Sequence, residues 1–179
     1  MALNSTIFRF QIKLSEVTRE VYETIELRVA RHPSEADAFM LTRVIAYSLN
    51  AQEGIEFTPG ISSPNDAAIY VRDLSGEILT WIDIGTPSVK RVHKASKVSK
   101  KVKIYTYRDP QITLDEMAGQ EIYNREKIEL LSFPPVFLSR LAETLDRDNA
   151  WEFLHDDGEL SITTKGISVQ GNLTVHSIK

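Results

Sequence analysis

The chain has 179 residues, 42% of them hydrophobic and 26% charged, a composition that suits packed globular structure and excludes a disordered or collagen-like chain. It has no cysteine, which excludes a disulfide framework, thiol catalysis and any zinc or iron–sulfur site built on thiolates. The formal net charge of −4 argues against indiscriminate nucleic-acid binding, so any such contact has to come from a local basic patch. The N-terminal segment lacks a charged stretch followed by an apolar run, and no apolar stretch approaches the ~20 residues that span a bilayer. The expectation is a cytoplasmic protein without membrane association, folded as a single domain over 1–179.

Phe8, Phe10, Ile12 and Leu14 alternate with Arg9, Gln11 and Lys13, the period of two of a half-buried strand. Ile25, Leu27 and Val29 continue it, so 6–14 and 20–31 are expected to pair antiparallel. Ser34 offers a cap with Asp37 three residues on. Phe39, Met40, Leu41, Val44, Ile45 and Leu49 then give a broad apolar face, a helix over 34–51. Strands are expected near 55–58, 66–73 and 77–85, with a loop at Pro59-Gly60 and Ser62-Ser63-Pro64-Asn65 and a hairpin turn at Asp73-Leu74-Ser75-Gly76. Thr86-Pro87 opens a helix over 87–98, and 101–107 returns as a strand. A short helix near 113–120, a strand at 127–132 and a helix opened by Pro134-Pro135 follow. The alternation at Trp151/Phe153, Leu160/Ile162 and Ile167/Val169 predicts a C-terminal β-meander.

The hairpin turn suggests a candidate site. If Asp73 and Gly76 face each other across it, the antiparallel register carries Asp83 opposite Asp66. Facing side chains share one side of a sheet with Cβ atoms about 4.5–5.5 Å apart, and two carboxylates that close repel unless a cation lies between them. Hard oxygen ligands suit Mg²⁺ or Mn²⁺, which also bring water for phosphodiester hydrolysis. The alternative is structural: Asp66 ends a strand, Asp83 faces solvent, or a one-residue slip separates them.

Lys90 and Lys94 lie four apart on one helix face, placed to meet a phosphate or polarise a water, or simply to form a solvated basic face. Glu35, in the first turn of its helix, offers a third carboxylate or stabilises that helix N-terminus. Lys90, Arg91, Lys94, Lys97, Lys100, Lys101 and Lys103 supply seven of the 21 basic residues within one short segment. Such a run contacts nucleic-acid phosphates with salt-sensitive affinity, or it is ordinary charged surface. The four histidines show no metal-ligand spacing.

The Met-Ala-Leu opening, Ala30-Arg31-His32-Pro33-Ser34-Glu35, Trp81-Ile82-Asp83-Ile84-Gly85-Thr86-Pro87 and Lys94-Ala95 together resemble the YaeQ family of bacterial proteins over the whole length. The α-β-β-β-α-β order across 34–107 resembles the core of the PD-(D/E)XK nuclease superfamily. The resemblance implies an α/β fold with a mixed sheet, a restriction-endonuclease-like PD-(D/E)XK core carrying added N- and C-terminal β-hairpins. It is consistent with a metal-dependent nuclease in which Asp66, Asp83 and Glu35 hold Mg²⁺ or Mn²⁺ while Lys94 or Lys90 meets the phosphate. Gly85 stands where the superfamily places a lysine, a departure that keeps open a non-catalytic nucleic-acid or protein binding module on the same fold.

Overall fold

The computed structural model describes residues 4–59 and 64–179. The Met-Ala-Leu opening and Gly60, Ser62 and Ser63 of the expected loop lie outside the described residues. In chain order the elements are β1 (Thr6–Glu16), β2 (Val21–Arg31), α1 (Asp37–Leu49), β3 (Ile55–Phe57), β4 (Ile69–Arg72), β5 (Ile78–Ile84), α2 (Val89–Val98), β6 (Ser99–Thr106), α3 (Pro110–Met117), β7 (Ile128–Ser132), α4 (Pro135–Glu143), β8 (Asp148–Asp156), β9 (Glu159–Thr164), β10 (Ile167–Asn172) and β11 (Thr174–Ser177). They form two compact units that interleave along the sequence, Met1–Leu49 with Phe133–Leu173, and Asn50–Ser132 with Thr174–Lys179.

The first unit is built on a five-stranded sheet in the order β10-β9-β8-β1-β2. Strands β1 and β2 pair antiparallel as the alternation predicts, from Thr6 opposite Arg31 to Glu16 opposite Val21. The C-terminal meander β8–β9–β10 is present, but β8 lies parallel beside β1, with Arg9 opposite Asp148. The terminal strands therefore make one sheet together instead of two added hairpins. Its buried face carries Phe10, Ile12, Leu14, Leu27, Val29, Trp151, Phe153 and Ile162, with the Phe10 and Trp151 rings edge to face at 5.0 Å. Each such side chain stabilises by about 1.5–3 kcal/mol on burial.

Helix α1 starts at Asp37, later than the expected 34, because the preceding residues satisfy one another. Glu35 N–H donates to His32 O at 2.8 Å, His32 N–H donates to Glu35 Oε2 at 3.1 Å, and Ser34 Oγ lies 2.6 Å from His32 Nδ1. Ser34 thus closes a turn and does not cap the helix. Met40, Leu41, Val44 and Ile45 are fully buried, and Thr42 and Ser48 return their hydroxyls to the carbonyls of Ala38 and Val44, which makes buried hydroxyls tolerable in a helix.

The second unit holds a six-stranded mixed sheet in the order β11-β7-β6-β5-β4-β3. Strands β3, β4 and β5 run antiparallel, β5, β6 and β7 run parallel, and β11 leaves the C-terminal meander to pair antiparallel with β7. Tyr70, Trp81, Val92, Ala95, Val102, Ile104, Met117 and Leu130 form its core. Helix α2 is capped by Ser88, whose Oγ accepts the Arg91 N–H at 3.3 Å, and not by Thr86. Helix α3 starts earlier than expected because Asp109 caps it, accepting the Gln111 N–H at 2.9 Å, with Pro110 in the first turn. Among the described residues no helix is long and apolar enough to cross a membrane.

Candidate functional site

The hairpin between β4 and β5 settles how the two aspartates stand. Asp73 N–H donates to Glu77 O at 3.0 Å, and Gly76 N–H donates to Asp73 O at 3.0 Å. Asp73 therefore faces Glu77, one residue beyond the expected Gly76. The Asp73 carboxylate locks the turn by accepting from the N–H groups of Ser75 and Glu77, and Gly76 supplies the φ of 85° it needs. A further irregularity between Val71 and Arg72 moves the register again, to Val71 opposite Thr80 and Ile69 opposite Ile82. Continued one step, that register sets Asp83 opposite Ala68, whose N–H donates to Ile82 O at 3.0 Å. The direct Asp66–Asp83 facing pair expected from the turn is not formed, and Asp66 lies before β4, outside the strand expected to begin at 66.

Asp83 lies at the end of β5 and is 2% exposed. Its partner is Arg91, three residues into α2. Arg91 Nε donates to Oδ2 at 2.8 Å and Nη2 to Oδ1 at 2.7 Å, the two-point fork of a guanidinium on a carboxylate. The same guanidinium donates to the carbonyls of Pro64 and Asp66 and lies 5.7 Å from the Trp81 ring centroid. Its hydrogen bonds to Asp83, helped by the Asp83 charge, hold Arg91 above the ordinary arginine range. Four protein oxygens thus converge on one resident cation.

Around this pair, the Asp66 carboxylate accepts from Tyr70 Oη at 3.2 Å, and Tyr70 Oη accepts the Ala67 N–H at 3.2 Å. Burial, then the nearby Asp66 charge, pushes the Tyr70 hydroxyl up. Lys94 Nζ donates to Asn65 O at 3.1 Å. Lys90 and Lys97 are exposed, as is Lys94, and the spacing of the three places them along one stripe of α2. The remainder of the basic run is engaged elsewhere: Lys100 with Glu77 at 2.9 Å, Lys101 with Glu129 at 2.7 Å, and Lys103 with Asn50 Oδ1 at 2.6 Å.

Glu35 belongs to the first unit, where its carboxylate meets Arg43 at 3.1 Å, both side chains nearly fully buried. Burial pushes Glu35 up, against the pull of the Arg43 charge. Gly85 has φ 88°, left-handed backbone in which a lysine is strained, so a glycine there suits a sharp exit from β5. Among the described residues no group of three or more histidines, aspartates or glutamates is gathered to hold a metal ion.

The pairing of Asp83 with Arg91 was not anticipated from the sequence. Its trace there is a strand-end acid, a short Gly-Thr-Pro-Ser turn and an arginine in the first turn of the following helix.

A family model for the YaeQ protein matches residues 1–173. The chain belongs to the YaeQ family. It is 31% identical over 107 residues to the "Uncharacterized protein YaeQ" of Escherichia coli (strain K12), and equally to that of Salmonella typhi, a match that takes in 60% of this chain and only 59% of each relative's length. Two solved YaeQ structures share the fold. The YaeQ protein from Pseudomonas syringae superposes with a TM-score of 0.85 at 23% identity over 96% of this chain and 95% of that one. The YaeQ protein from Xanthomonas axonopodis pv. citri gives 0.88 at 24% over 98% and 99%. The mixed α/β architecture with two mixed sheets is thus a YaeQ architecture.

Proposed function

We propose that the chain is a nucleic-acid-binding module on a PD-(D/E)XK-like core, in which an arginine stands where a catalytic relative would need a metal ion. The observation that carries this reading is the two-point Asp83–Arg91 pair. The carboxylate at the strand end is already neutralised by a fixed guanidinium, and the Lys90, Lys94 and Lys97 stripe lies on the same helix. A basic stripe beside a neutralised acid can hold phosphates by charge without chemistry on them.

A second reading, a metal-dependent phosphodiesterase, draws on the convergence of the Asp83 carboxylate with the carbonyls of Pro64 and Asp66. It assigns Asp66, Asp83 and Glu35 to Mg²⁺ or Mn²⁺, and Lys94 or Lys90 to the phosphate. As the side chains stand, that set does not fit a metal. Both Asp83 oxygens are bonded to Arg91, Asp66 is turned to Tyr70, and Glu35 is paired with Arg43.

The test is binding of mixed-sequence single- and double-stranded DNA and RNA over a range of salt, run beside a hydrolysis assay with Mg²⁺ and Mn²⁺. The binding module predicts salt-sensitive association, loss of it in the Lys90→Ala/Lys94→Ala/Lys97→Ala variant, and intact nucleic acid with either metal. Metal-dependent cleavage that Asp83→Asn abolishes would establish the second reading. Absence of any association would leave a protein-binding module.

A further inference from the structure

Strand β2 ends its sheet, and among the described residues no strand pairs with its outer edge. Arg9 N–H donates to Arg147 O at 2.8 Å and Val17 N–H to His155 O at 2.9 Å, so the odd-numbered residues of β1 aim their backbone groups at β8 and the even-numbered ones serve β2. With Phe10 opposite Leu27 and Ile12 opposite Ile25, it is the odd residues of β2 that answer them. The N–H and C=O groups of Tyr22, Thr24, Glu26 and Arg28 then point away from the sheet, with no partner among the described residues. Farther along the edge, Ala30 O is taken by Arg43 Nη2 at 3.0 Å. Over its 11 residues β2 has no proline, glycine or bulge to blunt pairing.

Charge on this edge is also uncompensated. Arg28 lies directly opposite Arg9, whose guanidinium is paired with Asp148 at 3.0 Å, and like charges facing each other on a sheet repel. Glu26 and Arg28 are both exposed, and neither forms an ion pair among the described residues.

We propose that the β2 edge docks a second copy of this chain, antiparallel about a two-fold axis at Leu27. In that register Glu26 of each copy faces Arg28 of the other, twice by symmetry, and the two residues exchange their open backbone hydrogen bonds. Glu23 faces Arg31, and Ile25 faces Val29, so the apolar row runs on across the axis. The neighbouring two-fold registers are worse. An axis at Glu26 or at Arg28 sets that charge against itself, and an axis at Ile25 leaves Glu26 opposite Thr24. Charge therefore selects the register as well as the partner.

Sedimentation velocity of the full chain over a range of concentration tests this, with the mass of two chains expected. Arg28→Glu relieves the clash with Arg9, so it folds, yet it sets Glu26 against a second acid; the dissociation constant rises by about tenfold or more. Adding Glu26→Arg to it restores the wild-type value. Glu26→Pro removes an outward N–H that β1 does not use and yields a monomer with the wild-type circular dichroism spectrum. A wild-type chain that sediments as a monomer throughout, or a dimer indifferent to both Arg28→Glu and Glu26→Pro, overturns the proposal.

Discussion

Asp83 and Arg91 meet through two hydrogen bonds of 2.8 and 2.7 Å, one partner 2% exposed and the other 26%. The difference in exposure makes the pair asymmetric. Arg91→Ala strands a buried carboxylate, which costs about 3–5 kcal/mol. Asp83→Asn keeps a hydrogen-bonding oxygen and leaves an arginine that water can reach, for about 1–3 kcal/mol. Urea unfolding of the two variants should rank them in that order, and the reverse order would refute the account of the pair.

Gly85→Lys puts a side chain at a φ of 88°. A Cβ there meets only the Tyr107 ring at 3.6 Å, an ordinary contact, so the cost is backbone strain of about 1–2 kcal/mol. Thermal melting should show a lowered midpoint with the fold retained.

Glu16 is 1% exposed. Burial works to raise its pKa, but hydrogen bonds from His155 at 2.7 Å and Arg19 outweigh it and hold the carboxyl below its ordinary value. Gly158 N–H donates to His155 Nε2 at 3.2 Å, so the imidazole proton lies on Nδ1, where it serves Glu16. A folded-state pKa below the unfolded one adds stability above the unfolded value, and that stability is lost as pH falls through the folded value. Glu16→Gln should therefore flatten the acid side of the stability–pH curve and leave its alkaline side unchanged.

If Lys90, Lys94 and Lys97 each meet a phosphate, removing all three lowers the slope of log affinity against log salt by about 0.9 per lysine on duplex DNA. A slope that stays constant would mean the stripe does not touch the backbone.

The strands and helices of this chain are legible because each is a local pattern. The alternation of Phe8, Phe10, Ile12 and Leu14 and the apolar face of Phe39 to Leu49 report which side of each element is buried, and this needs no knowledge of the neighbours. Helix starts are less so, since Ser34 and Thr86 are as good caps by composition as the Asp109 and Ser88 that act. The choice depends on which side chain a neighbouring turn has already engaged.

Pairing between distant segments left no such pattern. Facing Asp73 with Glu77 instead of Gly76, and adding one irregularity at Val71/Arg72, moved Asp83 from Asp66 to Ala68. The parallel seating of β8 on β1 and the departure of β11 to β7 joined segments far apart in sequence. Composition and period established the elements, their buried faces and the basic helix beside the strand-end aspartate. The register, and with it the choice of Arg91 as the cation that Asp83 holds, arose only on folding, because a strand's alternation is unchanged by sliding it two residues along its partner.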